Sequence, residues 1–113
     1  MKIVILYATT TGNTEYVAKI ISSALKGCDV LIKNVLDVSP GQLNGYDLLI
    51  FGTPTWGEGN AHKDWINFFR ELPEDSLRGK KVALFGLGDS LMFSKQFVNG
   101  LRELYDMCVN RGA

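Results

Sequence analysis

Ile5-Leu6-Tyr7-Ala8-Thr9-Thr10-Thr11-Gly12-Asn13-Thr14-Glu15 carries an apolar run into a hydroxyl-rich turn that opens directly on a helix. Lys2 to Tyr7 reads as a buried strand, and the turn falls at its carboxyl end. The first backbone N–H groups of the following helix have no partner within the helix and lie at the positive end of its dipole. A junction of this kind seats an anion, phosphate above all. Gly12 lets the backbone approach closely, Thr9, Thr11 and Thr14 each carry a hydroxyl donor, and Thr10 and Asn13 complete the turn. No lysine or arginine stands between Lys2 and Lys19, so neutral donors rather than an ion pair hold whatever sits there. The turn lacks the Gly-Lys-Ser/Thr ending of a P-loop, and no G-x-G-x-x-G dinucleotide fingerprint follows the strand. A threonine-rich helix cap with no ligand is the alternative that the turn alone leaves open.

Around this stretch, 113 residues with 46% hydrophobic content predict one domain with a modest core. Basic and acidic residues number 12 each, and no run of like charge points to nucleic acid or a membrane surface. No apolar run approaches the ~20 residues of a bilayer span. Met1 leads straight into a strand without a signal-peptide layout, so a cytoplasmic location is expected. Cys28 and Cys108 are isolated, with no C-x-x-C and no histidine neighbour. They read as reduced structural thiols rather than a metal site, with a pairing in space left open.

Further along, Val17, Ile20, Ile21, Ala24 and Leu25 recur at helical spacing from about Thr14 to Lys26, and Gly27 follows as a stop. Val30 to Val35 alternates and is more polar, as suits a strand at a sheet edge. Ser39 to Gly45 has the proline and glycines of a turn, with room for about one helical turn. Tyr46 to Gly52 is continuously apolar at its centre and reads as an inner strand covered on both faces. Ala61 to Leu72 places Trp65, Ile66, Phe68, Phe69 and Leu72 at helical spacing before Pro73, and Trp65 reads as core. Lys81 to Gly86 is a fourth strand. Phe97, Val98, Leu101, Leu104, Tyr105, Cys108 and Val109 then trace one side of a long helix ending near Gly112. Strands alternating with helices at these lengths require a doubly wound, parallel α/β sheet with right-handed crossovers.

Two further loops follow strands. Thr53-Pro54-Thr55-Trp56-Gly57-Glu58-Gly59-Asn60 sets a large aromatic on a glycine-bounded loop, a surface on which a planar ring gains about 0.5–1.5 kcal/mol beyond burial. Trp56 as an ordinary packing residue is the alternative. Gly86-Leu87-Gly88-Asp89-Ser90-Leu91-Met92-Phe93 ends the fourth strand, where Asp89 also suits a helix-capping carboxylate. His62 reads as a solvated surface residue.

Taken in order, Thr9 to Thr14, Thr53-Pro54-Thr55-Trp56 and Gly86-Leu87-Gly88-Asp89 with Phe93 resemble the three cofactor loops of the flavodoxins, and the resemblance covers the whole chain. It implies strand order 2-1-3-4-5, with FMN beyond the carboxyl ends of strands 1 and 3. Thr9, Thr10, Thr11, Gly12, Asn13 and Thr14 would then hold the phosphate. Thr53, Pro54, Thr55 and Trp56 would cover one flavin face, and the peptide after the tryptophan, at Gly57, would turn its carbonyl toward flavin N5. Leu87, Gly88 and Asp89 would meet the pyrimidine edge, and Phe93 would cover the second face where the family usually has tyrosine. Negative charge on Glu58 and Asp89 would disfavour the anionic reduced flavin.

The resemblance implies an FMN-binding one-electron carrier with no catalytic residues of its own, served by redox partners such as a flavodoxin reductase. The alternatives are a flavodoxin-like NAD(P)H:quinone or flavin reductase, and a flavin-free interaction or assembly fragment of the same fold. Two features depart from the family. The chain is neutral where flavodoxins are generally acidic, and only four strands are legible, with Arg111-Gly112-Ala113 standing where a fifth should begin. A single flavodoxin-like domain over residues 1–113, incomplete at its carboxyl end, is therefore expected. Its fourth strand would be an edge that a homodimer or second chain covers.

Overall fold

The computed structural model describes residues 1–8, 13–54, 63–72, 76–87 and 106–111. Four strands, β1 (Lys2–Tyr7), β2 (Asp29–Asn34), β3 (Leu48–Pro54) and β4 (Lys81–Leu87), form one sheet in the order β2-β1-β3-β4. Every neighbouring pair is parallel, as the sequence predicts. Helices α1 (Asn13–Ala24) and α2 (Lys63–Glu71) make the crossovers after β1 and β3, and residues 106–110 are helical.

The chain's two central strands carry the apolar runs because both of their faces are covered. Val4, Leu6, Leu49 and Phe51 face a core completed by Trp65, Phe68, Phe69, Leu72, Leu77 and Cys108. Ile3, Ile5, Tyr7 and Ile50 face the opposite way, toward Ala18 of α1. At the edges the pattern weakens to alternation: β2 runs exposed and half-buried by turns, and β4 exposes Lys81 and Ala83.

Several boundaries and faces differ from the sequence reading. β3 starts at Leu48 rather than Tyr46, and Asp47 instead ties the strand entry to Lys2 through paired hydrogen bonds of 2.7 Å. The buried positions of α1 are Thr14 and Ala18, with Ile21 and Leu25 packed beside them, a four-three-four spacing. Ile20 falls on the far side and is 52% exposed. On α2, Trp65, Phe68, Phe69 and Leu72 face inward while Ile66 lies 36% exposed, and Val109 is likewise exposed where Cys108 is buried. Counting apolar residues overstated each stripe, because a helix resting on a sheet buries only the narrow arc that touches it.

Between β2 and β3 the connector forms two short 3-10 turns, Val35–Asp37 and Pro40–Leu43, the second filling the space for one turn predicted at Ser39 to Gly45. Gly27, past the end of α1, adopts φ +83°, as a glycine stop should. The carboxyl end of α2 is closed from afar. Arg111 donates from Nη2 to the Phe69 carbonyl at 2.7 Å and from Nε to that of Leu72 at 3.1 Å, while its own carbonyl accepts from Leu77 N–H at 2.9 Å. The Leu72 carbonyl lies past the helix end, and that of Phe69 also accepts from Leu72 N–H at 3.2 Å, so Arg111 completes the closing turn.

Candidate functional site

Parallel register brings the strand ends that lead into the three predicted loops to one edge. Tyr7 stands opposite Gly52, Thr53 opposite Gly86 and Pro54 opposite Leu87, so β1, β3 and β4 end at nearly the same height. β1 is also where the sheet order turns, with β2 on one side and β3 on the other. Crossovers leave such a point in opposite directions and open a crevice outside the strand ends, the usual ligand position in open α/β sheets.

Five of the predicted site residues lie among those described. Asn13 opens α1, and Thr14 stands in its first turn with a fully buried side chain. Among the described residues, Thr14 Oγ1 has no hydrogen-bond partner. A buried hydroxyl in that state is costly, and at a helix amino terminus its natural complement is an anion. Thr53 is buried at the end of β3, and Pro54 and Leu87 close β3 and β4 side by side. Thr9, Thr10, Thr11, Gly12, Thr55, Trp56, Gly57, Gly88, Asp89 and Phe93 lie outside the described residues, as do Glu58 and His62.

Beside Thr14, the sequence reading passed over a small polar relay. Tyr7 is buried at the end of β1, and its hydroxyl sits above the ordinary tyrosine range. Burial is the main cause, followed by the carboxylates of Glu15 and Asp37 and a hydrogen bond to Glu15. Glu15 in turn pairs with Lys19 one turn along the helix at 3.4 Å. Tyr7 therefore stays neutral and able to donate.

Gly52 is the second feature that the sequence reading missed. Its carbonyl accepts from Ala8 N–H at 3.0 Å and from the buried Trp65 Nε1–H at 2.8 Å. A Cβ on this residue would collide with the Cζ edge of the Phe85 ring. The only signal available in advance was a glycine ending an otherwise apolar strand, a mark of close approach by a neighbour.

Among the described residues, no helix is long and apolar enough to cross a membrane. A family model described as Flavodoxin matches residues 5–113. Flavodoxin 1 of Salmonella typhimurium is 42% identical over 110 residues, which make up 96% of this chain and 62% of that protein. Among solved structures, a Fusobacterium nucleatum flavodoxin bound to flavin mononucleotide superposes with a TM-score of 0.84 at 36% identity, over 99% of this chain and 66% of that one. Oxidised Flavodoxin 2 from Bacillus cereus gives 0.85 at 33% identity, over 100% and 77%. The chain thus spans about two thirds of the length of the first two. A parallel sheet in the order 2-1-3-4, three strands ending level beside its switch point, and a match running almost from end to end place this chain in the flavodoxin family.

Proposed function

We propose that this chain binds FMN at the carboxyl edge of its sheet and serves as a one-electron carrier rather than an enzyme. The observation that carries the reading is the Thr14 hydroxyl, buried without a partner in the first turn of α1, where a phosphate oxygen would complete it. Family membership and the FMN bound by the Fusobacterium relative support the same cofactor. Residues 9–14 hold the phosphate through neutral donors. Thr53, Pro54, Thr55, Trp56 and Gly57 form one wall for the ring, and Leu87, Gly88, Asp89 and Phe93 form the other. FMN supplies the one-electron chemistry. The protein's part is to orient the ring, exclude water from its faces and set the charge around it.

The carrier works in the cytoplasm with redox partner proteins such as a flavodoxin reductase. β4 is the outer strand of the described sheet, with Ala83 exposed and Phe85 half-exposed on the face toward α1. That edge is covered in use by a second copy or a separate chain, since an uncovered apolar edge invites pairing. Sedimentation of the 113-residue protein as a stable monomer at high concentration would refute this part.

The deciding experiment is a titration of the purified protein with FMN and with riboflavin, followed by flavin fluorescence. Strong quenching by FMN with weaker riboflavin binding is the expected result. Quenching by neither would overturn the assignment. NAD(P)H oxidation by the isolated protein would instead indicate a reductase.

A further inference from the structure

We propose that Trp65 is a positioning residue: its indole N–H on the Gly52 carbonyl clasps the base of the segment between β3 and α2. That segment carries Trp56 and Gly57, so the inference rests on the flavin reading above. The two partners are 13 positions apart in sequence, yet the bond is buried and 2.8 Å long. A hydrogen bond at this place closes a loop at its base and removes much of the freedom its two ends would otherwise have.

The surroundings show that the indole's direction is set. Its ring stands 4.7 Å from Phe51, 5.6 Å from Phe68 and 5.8 Å from Phe69, in tilted and edge-to-face geometries. It is fully buried, so rotation away from Gly52 would require the aromatic cluster to part. The acceptor is equally constrained. Gly52 O also takes the N–H of Ala8, the residue that leads into the phosphate turn, and the Phe85 ring occupies the space beside its α-carbon. One carbonyl therefore joins the exit of β1, the exit of β3 and the start of α2.

The bond's contribution to binding is pre-organisation. The bond fixes how the end of β3 and the start of α2 stand to one another, and apparent affinity falls by the fraction of molecules in which that arrangement is lost. The clasp acts on the segment that meets the ring. The Ala8 bond, which leads to the phosphate, does not depend on it. The predicted signature is thus a loss shared equally by FMN and riboflavin.

The test is Trp65→Phe, which keeps an aromatic ring in the cluster, removes the donor and leaves Gly52 O with its Ala8 partner. Both flavins should bind about three- to tenfold more weakly, the equivalent of one net hydrogen bond, with their affinity ratio unchanged. In the flavin-free protein, amides of residues 55–62 should exchange hydrogen faster while those of β1 and β3 keep their protection. Leu77→Val, a core truncation at the other end of the sheet, should lower stability and leave both affinities and that exchange pattern intact. Unchanged affinities and exchange in Trp65→Phe, a loss confined to FMN, or the same losses in Leu77→Val would each overturn the clasp. If the unaltered protein binds neither flavin, the functional reading fails instead, and the exchange comparison still decides the clasp.

Discussion

Replacing Thr14 with valine should push stability and FMN affinity in opposite directions. The side chain is fully buried and its hydroxyl has no partner, so in the flavin-free protein the hydroxyl contributes desolvation cost and nothing in return. Valine has nearly the same shape with a methyl group in place of the hydroxyl. Relief of an unsatisfied buried hydroxyl is worth about 1–3 kcal/mol, against which valine's helix propensity is nearly neutral. The flavin-free Thr14→Val protein should therefore match or exceed the parent in a urea melt, by roughly 1 kcal/mol or more. In the FMN complex the same hydroxyl donates to a charged oxygen, a bond worth about 1.5–3 kcal/mol, so affinity should fall about 10- to 150-fold. Riboflavin has no phosphate, and its affinity should not move. Paired melts and fluorescence titrations read all three numbers. A variant less stable by more than 1 kcal/mol, or one that loses FMN and riboflavin alike, would refute the reasoning, because the hydroxyl would then have a structural partner or no phosphate contact.

Arg111→Ala removes two hydrogen bonds that close α2, at 2.7 and 3.1 Å, and should cost about 2–4 kcal/mol in a thermal or urea melt, with Arg111→Lys recovering little because an ammonium lacks the fixed spacing of the Nε and Nη2 donors. Gly52→Ala drives a methyl group into the Phe85 ring and should cost about 1–3 kcal/mol, a penalty that Phe85→Leu relieves in a double-mutant cycle, since half-exposed Phe85 has room to move aside. Burial pushes the Cys108 thiol up to about 12, above the range it has in the unfolded chain. The folded protein therefore holds this proton more tightly, and the contribution to stability is complete below about pH 9 and declines as pH rises toward 12, by up to about 1.4 kcal/mol per unit. Cys108→Ala should flatten that alkaline slope, and a thiol reagent should label half-buried Cys28 well before Cys108.

Much of the architecture was legible because it depends on order along the chain. Apolar runs at Lys2 to Tyr7 and Leu48 to Phe51, separated by helical spacing, admit few arrangements other than a parallel sheet, and the observed order follows. Thr14 was legible as a candidate site residue for the same reason: a threonine in the first helical turn after a strand and a glycine has a local meaning. The errors were of another kind. Ile20, Ile66 and Val109 have the right chemistry for a core and lie outside it, since which arc of a helix touches the sheet depends on how the two pack.

Chain order, the strand–turn–helix junctions and the residue types in the three loops come from the sequence alone, because each is set by neighbours a few positions apart. Tertiary structure decided the rest. Only folding leaves Thr14 Oγ1 without a partner, brings Arg111 onto the carbonyls of Phe69 and Leu72, and sets Trp65 Nε1 on Gly52 O. Periodicity names what is apolar and a motif names what is polar. Which donor meets which acceptor across 13 or 42 positions is settled by the strand register and helix packing that fold the chain back on itself.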